Sequence, residues 1–585
     1  MITFSVGTYP RTTHCLLTIV TLMLASCVNP VDPLGHDTVP APLSEARAVA
    51  AGQDWDRFVG TFMEAYFEAI PAAAVGVGRH EFDGRIPDLS SSGIAARSAL
   101  FRRFRSQAEQ FEATALDRDR RFERDLMIWY LGRRLFWIEA ARWPQTNPMF
   151  YRGAVNPSVY LDREYAPLTV RQQALTQLLE SLPRALQQMR QALQSQIPSS
   201  FLKRSIGYYG GLAQHLRSTV PERFVGAGTQ QEHAQLLAAN HAASAALDAL
   251  VQDLEERAVT ANDEFALGAD LFSQMLRDTE MVDVPLAQLQ AQGRADLSRN
   301  LAMLAKVCEE QLAIADLKAC MAHADTQKSG DPVARGRDQL SHLKHFVQSN
   351  DLVTIPSEEV ALVRQSPPYN RANLAYISMP GAFEPKPLPS VYYISPPDPD
   401  WTAAEQRAFV PNEGRLLYVS VHEVWPGHFL WMLHRNRAQR PLVRMFSSTT
   451  FSEGWAHYAE EMMQEQGLGA DEPLLHVGQL ANALMRNVRY LSAIGLHAQG
   501  MTPGQSEALF LDKGLLDIGS ARQQAARGTY DPGYLSYTLG KLQILSLRER
   551  WLTQDSNRTL KQFHDTLLSY GGAPLALVER YMLQP

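Results

Sequence analysis

The residues best suited to chemistry lie in one short run, "VHEVWPGHFLW", at positions 421–431. His422 and Glu423 are adjacent there, and the next histidine, His428, follows six residues after the first. Hydrolytic zinc sites use about three protein ligands, chiefly imidazole and carboxylate, and leave one position for water. A glutamate beside that water can take its proton while the metal lowers the water's pKa. The spacing is the obstacle. Histidines four residues apart share a helix face, but six residues at ~100° each leave His428 about 120° from His422 around a straight helix. Between them stand Pro426 and Gly427. Proline removes a helical hydrogen bond, and glycine admits dihedrals closed to other residues. His428 is therefore expected to reach the same ion as His422 only if the helix breaks at Pro-Gly.

A third ligand must come from further along. "TFSEGWAHYAEEMM", about thirty residues downstream, reads as helix and sets Glu453, His457 and Glu460 on one face at intervals of four and three. Glu453 stands in Glu-Gly-Trp-Ala, which resembles the Glu-x-x-Ala form in which gluzincin peptidases supply a carboxylate ligand. Glu453 is the expected third ligand and His457 its substitute. The competing reading is a solvated helix face with ordinary ion pairs.

The elements that must position these groups change character along the chain. From about 50 to 345 apolar residues recur at three- and four-residue intervals, as in "DRFVGTFMEAYFEAI" and "EHAQLLAANHAASAALDALVQDLEERA", which predicts packed helices. Between about 352 and 400, Pro and Gly separate short β-leaning runs, of which "NLAYISM" and "SVYYISP" read as strands. Helical period returns near Trp401 and persists to the end. A small sheet just before the His-Glu helix is suggestive, because extended substrates commonly pair with a sheet edge. The expected organisation is a leader over 1–26, a tether over 27–45, a helical region over 46–345 and a metal-binding catalytic region over 346–585.

With 585 residues, 45% of them apolar, the chain can bury a large core. A net charge of −7 argues against a nucleic-acid partner, and nearly all the Lys and Arg read as solvated helix faces. The first thirty residues differ. Arg11 is followed by an apolar stretch from Cys15 to Leu24, too short to span a bilayer and suited to the core of a signal peptide. Leu24-Ala25-Ser26-Cys27 resembles a bacterial lipobox, which implies a lipidated Cys27 as the first mature residue; an ordinary cleaved signal or a buried helix is the alternative. Val28 and Asn29 follow without an Asp, which resembles outer-membrane sorting, facing the periplasm. Cys308 and Cys320 would be the other cysteines of the mature chain, free to pair in an oxidising compartment or to remain buried thiols.

"HEVWPGH", "EGWAHYAEEM", "DPGYLSYTLGKLQILSLRER" and "FHDTLLSYGGAPLALVERYM" together resemble the DUF885 family of predominantly bacterial proteins. That family in turn resembles gluzincin-type zinc metallopeptidases. The resemblance implies a mainly α, multi-helix zincin-like fold with a small sheet beside the active-site helix. It implies one zinc ion held by His422, His428 and Glu453, with Glu423 as general base. Gly495-Leu496-His497 is similar to a family segment ending in Gly-aliphatic-His, although Ala493 stands where many relatives carry Asp; His497 is a candidate catalytic residue. Tyr537 of "SYTLGKL" is another, since its hydroxyl could donate to an oxyanion; a buried, satisfied phenol is the alternative. Arg548 could hold a substrate carboxylate, or only a structural partner.

The expectation is an exported, lipid-anchored zinc peptidase of the cell envelope, with a peptide as substrate and the membrane met only through acyl chains. The rivals are a catalytically silent peptide- or envelope-binding lipoprotein, a metal hydrolase of non-peptide amides or esters, and a purely structural helical scaffold without stoichiometric metal.

Overall fold

The computed structural model describes residues 45–584 apart from 329, 368, 369, 372 and 398. The leader, the tether and the lipidation candidate Cys27 lie outside the described residues.

The helical expectation for the first half holds. Long helices run over Glu45–Ala69 (α1), Leu168–Ala192 (α2), Ser199–Arg223 (α3) and Gln230–Ala258 (α4). The start of α4 is written locally: the Thr229 hydroxyl accepts from the Glu232 amide, and the Glu232 carboxylate accepts from the Thr229 amide. α5 (Leu286–Lys306) and α6 (Pro332–Ser349) come later in this half, which also holds helices such as Ser91–Gln110 and Arg118–Leu135. Just beyond α5, Cys308 and Cys320 form a disulfide with Cα atoms 6.0 Å apart.

Three strands follow: β1 (Ala361–Gln365), β2 (Ala375–Ser378) and β3 (Ser390–Ile394), in the order β1-β3-β2. β3 is parallel to β1 and antiparallel to β2, with Tyr376 opposite Tyr393 and Leu362 opposite Val391. β3 is buried throughout, as a central strand with both faces covered should be. β2 is an edge, and no strand pairs with its outer side among the described residues. The two strands read from sequence are β2 and β3; β1 was not singled out.

Six of the helices that follow build the site. They are α7 (Glu413–Glu423), α8 (His428–Asn436), α9 (Thr449–Glu465), α10 (Pro473–Ala498), α11 (Ile518–Tyr530) and α12 (Ser536–Thr553). α10 is the central pillar, buried over nearly its whole circumference from Val477 to His497. α9 and α12 lie against one another at Gly454 and Gly540, where a Cβ on Gly454 would stand 2.5 Å from the Gly540 Cα. That approach requires glycine and sets Glu453 and Tyr537, on facing helices, into one cavity. Residues 46–585 form a single unit, so the change of texture near residue 346 falls inside it. Among the described residues no helix is long and apolar enough to cross a membrane.

Candidate metal centre

α7 ends at Glu423 and α8 begins at His428, so the helix does break at Pro426-Gly427. The Trp425–Pro426 peptide bond is cis. Gly427 folds back on α7: its N–H donates to the Val421 carbonyl over 3.0 Å, and a Cβ there would lie 1.9 Å from the His422 carbonyl oxygen. The Trp455 indole N–H donates to the Pro426 carbonyl over 2.9 Å and fastens the break to α9. As a result His428 returns beside His422, with ring centroids 4.7 Å apart and ring planes nearly perpendicular.

Glu453, in the second turn of α9, meets both histidines. One carboxylate oxygen lies 3.4 Å from Nε2 of His422 and 3.4 Å from Nε2 of His428. Ligand atoms of His422, His428 and Glu453 all fall within 4.8 Å of one another. The shared Glu453 oxygen is buried without a hydrogen-bond partner of good geometry. Two imidazole nitrogens and one buried carboxylate, convergent on one point, are a donor set that zinc takes.

The charges around this point are strongly coupled. Burial disfavours ionisation of Glu453, but His428 and His422 overcome it and hold the carboxyl well below its usual range. Burial and the Arg486 cation work against a proton on His422, yet Glu453 and Glu460 outweigh them and raise its pKa to about 9. Burial raises the Glu423 carboxyl, opposed by the neighbouring His428 and His422 side chains.

Two residues without an assigned role from sequence support the centre. Glu460 accepts from Nδ1 of His422 over 2.7 Å, and Arg486 of α10 donates to the other Glu460 oxygen over 2.7 Å. A carboxylate on Nδ1 fixes the tautomer and leaves Nε2 free to ligate. The signal for Glu460 was present, since it lies seven residues after Glu453 and hence on the same face. Arg486 carries no such signal.

The centre opens into a cavity of about 1180 Å³, whose walls include His422, Glu423, His428, Glu453 and Tyr537. Residues 373–377, the outer strand β2 and its approach, form part of another wall. The Tyr537 ring lies nearly parallel to that of His422 with centroids 6.0 Å apart, and burial raises its phenol pKa despite a hydrogen bond from Arg527. His457 is fully buried behind the triad, its Nδ1 3.9 Å from Glu460. His497 does not line the cavity. Its Nε2 contacts the Gly528 carbonyl at 2.7 Å, its ring stacks on Phe272, and burial lowers its pKa to about 4. Gly495-Leu496-His497 lies on α10, with the histidine on a face turned from the triad. Arg548 is likewise outside the cavity, bound to Glu465 at 2.8 Å and to the Tyr458 hydroxyl at 3.0 Å.

A mainly helical fold with a His-His-Glu cluster at a deep cavity thus defines the class. The chain belongs to the family described as bacterial protein of unknown function (DUF885), whose model matches residues 71–582. It is similar in structure to a candidate lipoprotein of unknown function from Shewanella oneidensis, with 22% identity, 91% of this chain and 100% of that chain covered, and a TM-score of 0.75. It is also similar to a candidate lipoprotein from Colwellia psychrerythraea, with 17% identity, 91% and 98% covered, and a TM-score of 0.76. No curated protein matches the chain.

Proposed function

We propose that this protein is a zinc-dependent peptidase with a zincin-like fold, exported and anchored by lipid at Cys27, acting on peptides in the bacterial envelope. The observation that carries the reading is the convergence of His422, His428 and Glu453 within 4.8 Å at a cavity that Glu423 also lines. The open edge of β2 in the same cavity supports a peptide as substrate, since an extended chain can pair with it along its backbone. The lipobox-like Leu24-Ala25-Ser26-Cys27 supports the anchor, as do the two structurally similar proteins described as candidate lipoproteins.

Zinc held by the triad would supply a Lewis acid for the substrate carbonyl and an acidified water. The protein's own groups do the rest. Glu423 accepts the proton of the attacking water and passes it to the leaving amine nitrogen. Its burial raises its affinity for that proton. Glu460 holds the proton on Nδ1 of His422, and Arg486 holds Glu460. The Tyr537 hydroxyl donates to the oxygen that gains charge as the carbonyl is attacked.

The test is a diverse peptide library offered to purified protein carrying one zinc per chain, with products read by mass spectrometry. Cleavage that disappears in Glu423→Gln while zinc is retained supports the reading. Full zinc occupancy with no cut in any peptide refutes it. For the anchor, an intact mass showing an unlipidated mature N-terminus is the refuting result.

A further inference from the structure

Away from the metal triad the cavity wall is cationic, with Arg152, Arg204, Arg415, Arg486, Arg489 and Arg527 on it, and the three on α10 and α11 differ in one respect. Arg486 is paired with Glu460 at 2.7 Å, and Arg527 with Asp531 at 2.9 Å. Arg489, one turn further along α10, has no carboxylate within ion-pair distance among the described residues. Its Nε donates to the Gln524 side-chain oxygen over 2.8 Å, and one terminal nitrogen faces the Met485 sulfur at 3.8 Å. Yet Arg489 is only 7% exposed. The acids lining the cavity are Glu423, Glu453 and Asp531, and the last two already face His422, His428 and Arg527. Burying a guanidinium with no counter-charge is costly, and such a group is normally paired. Burial indeed pulls the Arg489 pKa down to about 10. A buried cation left unpaired on the wall of an open cavity is a site waiting for an anion.

Its distance from the triad suggests which anion. The Arg489 guanidinium lies over the Tyr537 ring at 5.1 Å, and that ring is 6.0 Å from the His422 ring. At about 3.3–3.6 Å per extended residue, these two steps bound the gap between triad and guanidinium at about three residues of peptide. We infer that Arg489 docks the free α-carboxylate of a peptide whose scissile bond lies within about three residues of its C-terminus. The protein then removes short C-terminal pieces and does not cut within long chains. A guanidinium suits this task because its planar fork matches a carboxylate with two parallel hydrogen bonds. The position of the scissile bond rests on the peptidase reading; the carboxylate subsite does not.

Binding is therefore tested apart from turnover. Metal-free wild-type protein is titrated calorimetrically with acetyl-Ala-Ala-Ala and with its C-terminal carboxamide. The free acid should bind about 10- to 100-fold more tightly, the worth of hydrogen bonds between charged groups. Arg489→Met should abolish that preference, and Arg489→Lys should keep part of it. Equal binding of acid and amide by the wild type overturns the inference, and this comparison decides alone where Arg489→Met fails to fold. If acetyl-Ala-Ala-Glu carboxamide binds as well as the free acid, the subsite reads a side-chain carboxylate and the C-terminal assignment falls. In the turnover arm, zinc-loaded protein should release C-terminal pieces of no more than about three residues from free-acid peptides and cut amides more slowly by a similar factor. Cutting both alike sinks the subsite and leaves the peptidase reading standing. Cutting neither, while the acid still binds preferentially, sinks the peptidase reading and sustains the subsite.

Discussion

If the triad holds zinc as proposed, adding one methyl group at Gly427 should cost the protein that metal. A Cβ at that position would lie 1.9 Å from the His422 carbonyl oxygen and 2.4 Å from the Val421 carbonyl oxygen, both backbone atoms. Real contacts of this kind essentially never fall under 3.0 Å, so the chain at 427 must withdraw from α7 by about 1.1 Å. His428 is the next residue and moves with it. A zinc ligand tolerates only about 0.2 Å of displacement from its proper distance, so a movement several times larger removes His428 from the ion or tears the break open. Misplacing even the partners of ligands weakens metal binding about 10- to 100-fold, and Gly427→Ala displaces a ligand itself. The loss of zinc affinity should be at least that large. Overpacking of this kind also costs about 1–3 kcal/mol of stability. The assays are zinc titration against a competing chelator and thermal unfolding of the metal-free protein. A Gly427→Ala variant that binds zinc as tightly as wild type would falsify the claim that the fold-back at 427 assembles the centre.

Four other outcomes are expected. Glu423→Gln keeps size and shape but accepts no proton, so it should retain zinc and lose about 10²- to 10⁴-fold in turnover; unchanged peptide hydrolysis removes Glu423 from the mechanism. Glu460→Gln withdraws the carboxylate from Nδ1 of His422 and should weaken zinc binding about 10- to 100-fold, as read by the same chelator competition. Gly207 lies inside α3 with no atom within 4 Å of where a Cβ would stand, so Gly207→Ala should stabilise the protein by about 0.5–1 kcal/mol; a lower unfolding midpoint contradicts this. His80 sits 3.1 Å from Asp83 and 3.2 Å from Glu384, and although burial opposes its charge these carboxylates raise its pKa from 6.5 to about 9. The folded state then holds the proton more tightly than the unfolded chain, so this contact stabilises fully below pH 6.5 and is lost as pH rises to about 9. The ceiling is about 3 kcal/mol, and equal pH slopes of unfolding for wild type and His80→Gln would exclude it.

The parts of the centre that were legible in the sequence are those governed by local geometry. Helical period alone shows that His422 and His428 cannot share a face of a straight helix, so a common ion was open to them only with a break, and Pro426-Gly427 marked where one could fall. The same period aligned Glu460 with Glu453. What period cannot supply is the identity of the neighbour across a contact. His497 sits on α10 like Arg486 and Arg489, yet it turns toward Phe272 and the Gly528 carbonyl while the arginines turn toward the cavity. β1 was missed for a related reason: its partner β3 is parallel and about thirty residues away, so no turn signal joins the two strands. The arginines carry the broadest consequence. A net charge of −7 argued against a nucleic-acid partner, and with it nearly every Lys and Arg was read as solvated surface. Arg486 and Arg489 are 5% and 7% exposed instead. Composition averages over the whole chain, whereas a ligand meets only the charges that face one cavity. Spaced three residues apart on a helix buried over nearly its whole circumference, these two cations have nearly the same surroundings and different partners: one fixes a histidine through Glu460, and the other is left for an anion from outside.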